Sequence, residues 1–405
     1  MKKKSLLIVC DGLGDRPVNG VTPLEAAYTP NMDKMASEGI CGLMDTVLMG
    51  VRPGSDTAHL SLFGYNPFKY YAGRGPFEAA GVGLTLKKGD VAFRCNFASI
   101  KDDKIVDRRA GREEEGLSEL SREINNIKIE GIELIYKKAA GHRAVLVLKG
   151  EDLSSNVSDT DPEGEAIGYN KSKPLDDSAQ AAKTADILNE FTQKAIKLLA
   201  EHEVNKKRTQ KNKLPANIIL ARGVGMKASI PSIKERLGIS AACISATTLI
   251  KGVAREVGMD LIEVEGASGH VDSNIKAKMR ATIKALKKYD FVFLHLKGTD
   301  EASHDGDFES KKNMLERIDV EVIGPILNDV KDCTIALTGD HSTPISIRQH
   351  SADPVPIVIV GDVREDKVKK FTERECAGGG LNRIRGLYLL NIMLDISDRV
   401  KLYGA

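Results

Sequence analysis

Six short runs of apolar and β-branched residues, at 5–10, 218–220, 241–245, 291–296, 333–337 and 356–360, lead straight into polar residues. They stop, in turn, at Asp11, Arg222-Gly223, Thr247, Lys297-Gly298-Thr299-Asp300, Thr338-Gly339-Asp340-His341 and Gly361-Asp362. Runs this short, without polar alternation, fit strands covered on both faces, as in a parallel sheet. Between them, the segments 30–38, 230–237, 250–257, 272–288 and 312–330 have a helical period. In 272–288, Ile275, Met279, Ile283 and Leu286 recur every three or four residues among Lys and Arg, which is the stripe of an amphipathic crossover helix. Strand and helix alternating in this way predict an α/β fold: a mostly parallel sheet with helices on both faces.

The stretch 84–175 breaks the rhythm. Short strand candidates at 92–98, 132–137 and 144–148 are separated by charged turns such as Lys101-Asp102-Asp103-Lys104, the pattern of a more antiparallel α+β module. A chain of 405 residues exceeds what one hydrophobic core usually organises. The expected division is a core of 1–83 and 215–405 and an inserted cap of 84–175. The segment 176–214 holds a long helix near 177–201 and a lysine-rich connector at 206–213, with Lys206-Lys207-Arg208 read as solvated surface.

Composition removes several function classes. A net charge of +2, from 59 basic and 57 acidic residues, gives no support to a nucleic-acid partner, but leaves room for a local basic pocket that binds an anionic metabolite. No apolar stretch approaches the ~20 residues that cross a bilayer, so no membrane partner is expected. The apolar run after Lys2-Lys3-Lys4 ends in Asp11-Gly12 with no small-x-small pattern, so it reads as a buried strand and not as a signal. The cysteines at 10, 41, 95, 243, 333 and 376 form no CxxC pair, which fits reduced residues in a cytoplasmic protein. Neither GxGxxG nor GxxxxGK[ST] occurs, so no nucleotide cofactor is expected. The sequence is compatible with self-association into a homo-oligomer.

The chemical signal lies at the strand ends, where open parallel sheets place their ligand sites. Asp11 ends one strand, Asp340-His341 another, and Asp300 a third, with His304 four residues on and His350 nine beyond His341. Carboxylate oxygen and imidazole nitrogen suit divalent Mn, Zn or Co, and an oxygen-rich site also takes Mg. Asp300 and His304 converge if a helical turn begins there. The adjacent Asp340 and His341 either face two ions or share a tight turn. Upstream, Pro53-Gly54-Ser55-Asp56 opens a helix-compatible segment, so Ser55 serves either as a helix cap or as a nucleophile activated by nearby cations.

Taken in order, Cys10-Asp11-Gly12, Pro53-Gly54-Ser55-Asp56, Asp300…His304-Asp305-Gly306 and Asp340-His341-Ser342-Thr343-Pro344…His350-Ser351 resemble the alkaline phosphatase superfamily. Together with Gly73-Arg74-Gly75, Asp107-Arg108-Arg109-Ala110-Gly111-Arg112 and Asp159-Thr160-Asp161-Pro162, the chain more narrowly resembles the archaeal-type cofactor-independent phosphoglycerate mutases. It carries Gly-Ser-Asp where the longer bacterial and plant mutases carry Asn-Ser-Glu.

The resemblance implies an alkaline-phosphatase-like core and two divalent ions, manganese first among Mn, Zn, Co and Mg, with neither bisphosphoglycerate nor a nucleotide. One ion would be held by Asp11, Ser55, Asp340 and His341, the other by Asp300, His304 and His350. It also implies interconversion of 3-phosphoglycerate and 2-phosphoglycerate through phospho-Ser55, under a cap that excludes water. Asp159 or Asp161, in a compact acidic turn, is the candidate acid/base. Arg143 and Lys251 lead the candidate anion clamps, followed by Arg74, Arg94, Arg109, Arg112 and Lys297. A metal-dependent phosphomonoesterase or another phosphomutase would use the same core, and a non-catalytic metabolite binder would be expected to lack a metal ligand.

Overall fold

The computed structural model describes residues 3–402 and 404. These form two compact units, one from the described residues of 1–70 and 230–405 and one from Tyr71–Ser229. The first is built on eight strands in the order Asn382–Arg385, Ile40–Asp45, Val355–Val360, Cys333–Thr338, Lys4–Cys10, Phe291–Leu296, Ala241–Ile244, Asp260–Leu261. Lys4–Cys10 lies in the middle, parallel to both neighbours, with Val9 opposite His295 on one side and Thr338 on the other. All three of these strands therefore end level at one rim of the sheet.

Burial explains why the apolar runs lack alternation. Every residue of Phe291–Leu296 is buried, as is every residue of Lys4–Cys10 after Lys4. Leu6, Ile8, Leu294 and Leu337 share a core with Met32, Leu315 and Ile318 from the covering helices. Each such side chain contributes roughly 1.5–3 kcal/mol on leaving water. The expected crossover helix is present as Ile275–Leu286, capped by the Asn274 side chain.

Several expectations need correction. Val355–Val360 runs antiparallel to both neighbours, because the chain returns from Cys333–Thr338 through a loop with no crossover helix. The run at 218–220 is not a core strand at all. Ile218–Met226 pairs antiparallel with Val91–Lys101 in the second unit. It misled because Ile218 and Leu220 fill one apolar cluster while Ile219 and Ala221 fill another, leaving no polar face. The segment 312–330 is broken by a π turn, Asp319–Ile323, where the Asp319 carboxylate accepts the backbone N–H groups of Asn31 and Met32 at the start of another helix.

The second unit is wider than the expected cap, extending before residue 84 and past residue 175 to Ser229, because Ile218–Met226 and the helix Gly75–Gly81 belong with its sheet. Val91–Lys101 pairs antiparallel with Lys104–Asp107, Arg143–Lys149 and Ile218–Met226, and Glu133–Lys138 extends the sheet beyond Arg143–Lys149. The helix Ala179–Ala200 is capped by Ser178 and buries Ala181, Ala185, Leu188, Phe191, Ala195 and Leu199 in the unit's core.

The supposed connector 206–213 is largely the helix Glu203–Gln210. Arg208, read as solvated, is buried, and its guanidinium donates to the carbonyls of Ala110, Glu113, Glu115 and Leu214. It supplies the donors that this otherwise unpaired loop backbone needs. Arg208→Ala should therefore lower the unfolding free energy of the second unit by about 2–4 kcal/mol, read as a shift in urea midpoint with unchanged slope.

Candidate active site

The three level strands of the first unit deliver Asp11, Asp340 and, one helical turn later, Asp300 to the same rim, and all three carboxylates are buried. The helix Gly298–Asp305 begins at once after its strand, so Asp300 and His304 lie one turn apart on one face, with His304 Nε2 3.4 Å from Asp300 Oδ2. His350 Nε2 lies 3.8 Å from Asp300 Oδ1. His341 Nε2 stands 3.2 Å from Asp340 Oδ2 and 3.5 Å from Asp11 Oδ1, and its ring stacks on that of His350 at 3.5 Å. Ser55 opens the helix Ser55–Leu62, with its Oγ 3.3 Å from His341 Nε2. The seven side chains expected to bind metal thus form one connected cluster.

The histidines share one device. In His304 the Nδ1 nitrogen faces the Arg348 carbonyl at 2.9 Å, and in His350 it faces the Pro53 carbonyl at 2.9 Å. A carbonyl has no hydrogen, so each Nδ1 must carry one, which leaves Nε2 directed at the carboxylates. His341 Nδ1 meets the Thr343 hydroxyl at 3.0 Å.

This arrangement fits divalent cations. Asp11 Oδ1 and Asp340 Oδ2 are buried and make no hydrogen bond among the described residues. Burial, then the charge of Asp11, pushes the Asp340 carboxyl well above its usual range even with the Lys297 ammonium nearby. Donor atoms about 2.1 Å from a tetrahedral ion lie roughly 3.4 Å apart, and the separations of 3.2–3.8 Å fall around that value. Asp11, Asp340 and His341 form one convergent group, and Asp300, His341 and His350 another.

A third convergent group, His59, His295 and Asp340, was not anticipated. His59 Nδ1 donates to the Ser55 carbonyl at 2.6 Å, and His295 Nε2 lies 3.0 Å from Asp11 Oδ2. Both histidines are buried and steady the groups that face the cluster. The four-residue interval from Ser55 to His59, and the two-residue alternation from Phe293 to His295, were the available signals. Lys297, expected as a substrate clamp, has its ammonium against Asp300 and 3.1 Å from Asp11 Oδ2. Lys251, the other expected clamp here, is paired with Glu263 at 2.6 Å.

The second unit gathers guanidiniums. Arg74 Nε is 3.0 Å from Glu78 and Arg94 Nε 3.9 Å from it. Burial, then the charges of Arg74, Arg222 and Arg143, depresses Arg94 well below its ordinary value, since crowded cations disfavour one another's charge. Arg109 and Arg112 add to the field around His142. Arg108 and Arg222, not singled out in the sequence, belong to the same charged group. Arg108 grips Asp161 with a two-bond fork at 2.7 and 2.8 Å, holding it below the usual carboxylate range although burial favours its neutral form. Among the described residues, Asp159 accepts only the Gly223 N–H, and burial raises it.

Comparison with known proteins decides the family. A 2,3-bisphosphoglycerate-independent phosphoglycerate mutase of Archaeoglobus fulgidus is 52% identical, the match covering 99% of each chain. This chain belongs to the 2,3-bisphosphoglycerate-independent phosphoglycerate mutase family. The mutase of that name from Methanocaldococcus jannaschii is 50% identical over the whole of both chains, and the profile described by the same name matches residues 36–205. Among solved structures, a Pyrococcus horikoshii protein shares 42% identity and a TM-score of 0.88, with full coverage of both chains. The cofactor-independent phosphoglycerate mutase of Thermoplasma acidophilum shares 37% identity and a TM-score of 0.71, covering 98% of this chain and all of its own.

The arginine field of this family member has a consequence for pH. Burial first, then Arg143 and Arg109, pushes His142 from 6.5 down to about 4. The unfolded chain takes up this proton near 6.5 and the folded one does not, so stability is full above that pH and falls as pH drops from 6.5 towards 4. His142→Gln should flatten that fall, seen as a smaller loss of urea midpoint between neutral and acidic buffer.

Proposed function

We propose that this chain interconverts 3-phosphoglycerate and 2-phosphoglycerate by moving the phosphoryl group onto Ser55 and back. The observation that carries the reading is the Ser55 hydroxyl at the edge of an Asp/His cluster built for cations, in a chain alike over its full length to named mutases. Asp11, Ser55, Asp340 and His341 are assigned to one divalent ion and Asp300, His304 and His350 to a second, with manganese the first candidate. Such ions neutralise phosphate oxygens and lower the cost of ionising a nearby hydroxyl.

Ser55, having released its proton to solvent on ionisation, attacks phosphorus in line through Oγ, the P–O bond to the substrate breaks, and phospho-Ser55 forms. In the return transfer the Oγ–P bond breaks and Ser55 is left ionised again. Asp159 gives its proton to the departing glycerate oxygen and later removes one from the neighbouring hydroxyl, which takes the phosphoryl group back. Asp159 suits this work better than Asp161 because its environment favours the protonated form while the Arg108 fork holds Asp161 ionised. Arg74, Arg94, Arg143 and Arg222 are assigned to the substrate's anionic groups, with Arg109 and Arg112 behind them. Lys297 is reassigned from substrate clamp to partner of the Asp11 and Asp300 carboxylates. Excluding water from phospho-Ser55 separates mutase from phosphatase. The reaction is a step of glycolysis and gluconeogenesis, and we place it in the cytoplasm.

Brief exposure to 3-phosphoglycerate should give a phosphorylated Ser55 peptide by mass analysis, absent in Ser55→Ala, whose turnover should fall by roughly 10⁴-fold or more. EDTA should abolish turnover and Mn restore it. Asp159→Asn should lose far more kcat than Asp161→Asn. Release of phosphate without 2-phosphoglycerate would replace the mutase reading with a phosphatase.

A further inference from the structure

Beside the Lys297 ammonium, which meets both Asp11 and Asp300, one buried hydroxyl also touches both halves of the cluster. Thr343 Oγ1 lies 2.8 Å from Asp300 Oδ1 and 3.0 Å from His341 Nδ1. A threonine hydroxyl has one hydrogen, and an ionised carboxylate can only accept, so that hydrogen goes to Asp300. Towards His341 the oxygen can then only accept, so the imidazole hydrogen sits on Nδ1. The lone pair of Nε2 is thereby aimed at the space it shares with Asp11 Oδ1, Asp340 Oδ2 and Ser55 Oγ.

The hydroxyl is held on several sides. Thr343 is fully buried, its N–H donates to the Gly14 carbonyl at 3.0 Å, and its carbonyl lies 3.3 Å from the Lys311 ammonium. Gly12, with φ +67°, leaves the room it needs, since a Cβ there would stand 2.8 Å from both Thr343 Oγ1 and Asp300 Oδ1. A side chain with the same outline but no hydroxyl would strand the Asp300 oxygen and the His341 N–H. It would also free His341 to move its hydrogen to Nε2, cancelling a donor atom.

We propose that Thr343 is a positioning residue that sets the His341 tautomer and joins the two cation-binding groups into one unit through a single hydroxyl. The inference rests on the reading above that the cluster holds divalent cations. It distinguishes Thr343 from His304, whose loss should weaken one group alone.

The test is calorimetric titration of Mn²⁺ into EDTA-treated, dialysed wild type, Thr343→Val, Thr343→Ala and Thr343→Ser, with melting curves in EDTA to confirm that each is folded. The valine and alanine variants should bind both equivalents of Mn²⁺ roughly 10–100-fold more weakly, the usual effect of removing a partner that orients a metal ligand. The serine variant should bind close to wild type. In turnover assays the two hydroxyl-free variants should need more Mn²⁺ for half-maximal rate, with KM for substrate at saturating Mn²⁺ little changed. Wild-type affinity in the folded hydroxyl-free variants would overturn the proposal, as would a serine variant as weak as valine. Failure of wild type itself to bind Mn²⁺ would overturn the metal reading and this inference with it.

Discussion

A buried ammonium holds the rim of the sheet together. Lys311 reaches in from the helix Phe308–Ile318, where its Nζ meets Gly12 O at 2.9 Å, Gly14 O and Thr343 O at 3.3 Å each, and Asp15 Oδ2 at 2.8 Å. A buried charge costs several kcal/mol unless its partners are complete, and here one carboxylate neutralises it while three carbonyls surround it. Asp15 is secured in turn, since its carboxylate accepts from Ile345 N and its N–H donates to Glu373, a carboxyl that burial pushes up to about 7. This knot ties the loop after Asp11 to the loop after His341. Isolated bridges through Ser342, the Thr343 N–H on Gly14 O and the Gly12 N–H on Asp340 tie the same two loops, and the Lys311 ammonium adds a charged centre to those contacts.

Around the cluster, several side chains share one pattern: the atom turned away from the shared space is tied to something else. His304, His341 and His350 have Nδ1 engaged, Asp340 Oδ1 accepts from the Gly12 and His341 N–H groups, and Asp300 Oδ1 accepts from Thr343. The free atoms point inward because their opposite ends have no freedom left. Such preorganisation is what phosphoryl transfer asks of a protein, since the transfer needs placed charge more than it needs protein chemistry.

Much of this was legible because parallel strands deliver their functional residues at predictable ends. Asp11, Asp300 and Asp340 could be read from apolar runs stopping at acidic residues, and the spacing to His304 from the helix that begins beside Asp300. What escaped was what two-sided burial conceals. The run at 218–220 has the same apolar face on both sides as a core strand, and nothing local records that its partner is Val91–Lys101. Arg208 reads as one more surface base because its partners are backbone carbonyls, which no sequence displays. His59, His295 and Thr343 were missed for the same reason: their importance lies in what they touch.

The two acidic side chains of the Asp159-Thr160-Asp161 turn show how environment separates two groups that the sequence does not rank. Both sit in the same acidic turn, and both lose water to burial, which alone would favour protonation of each. The Arg108 fork satisfies both oxygens of Asp161 at once, so its anion is worth more than its acid. Asp159 receives one backbone N–H and the more distant charge of Arg222, which together do not cancel the cost of burying its anion. Two like carboxyls are thereby driven in opposite directions. The carboxyl that keeps its proton to higher pH and the one that stays charged are set side by side, which is how environment parts two groups of one chemistry.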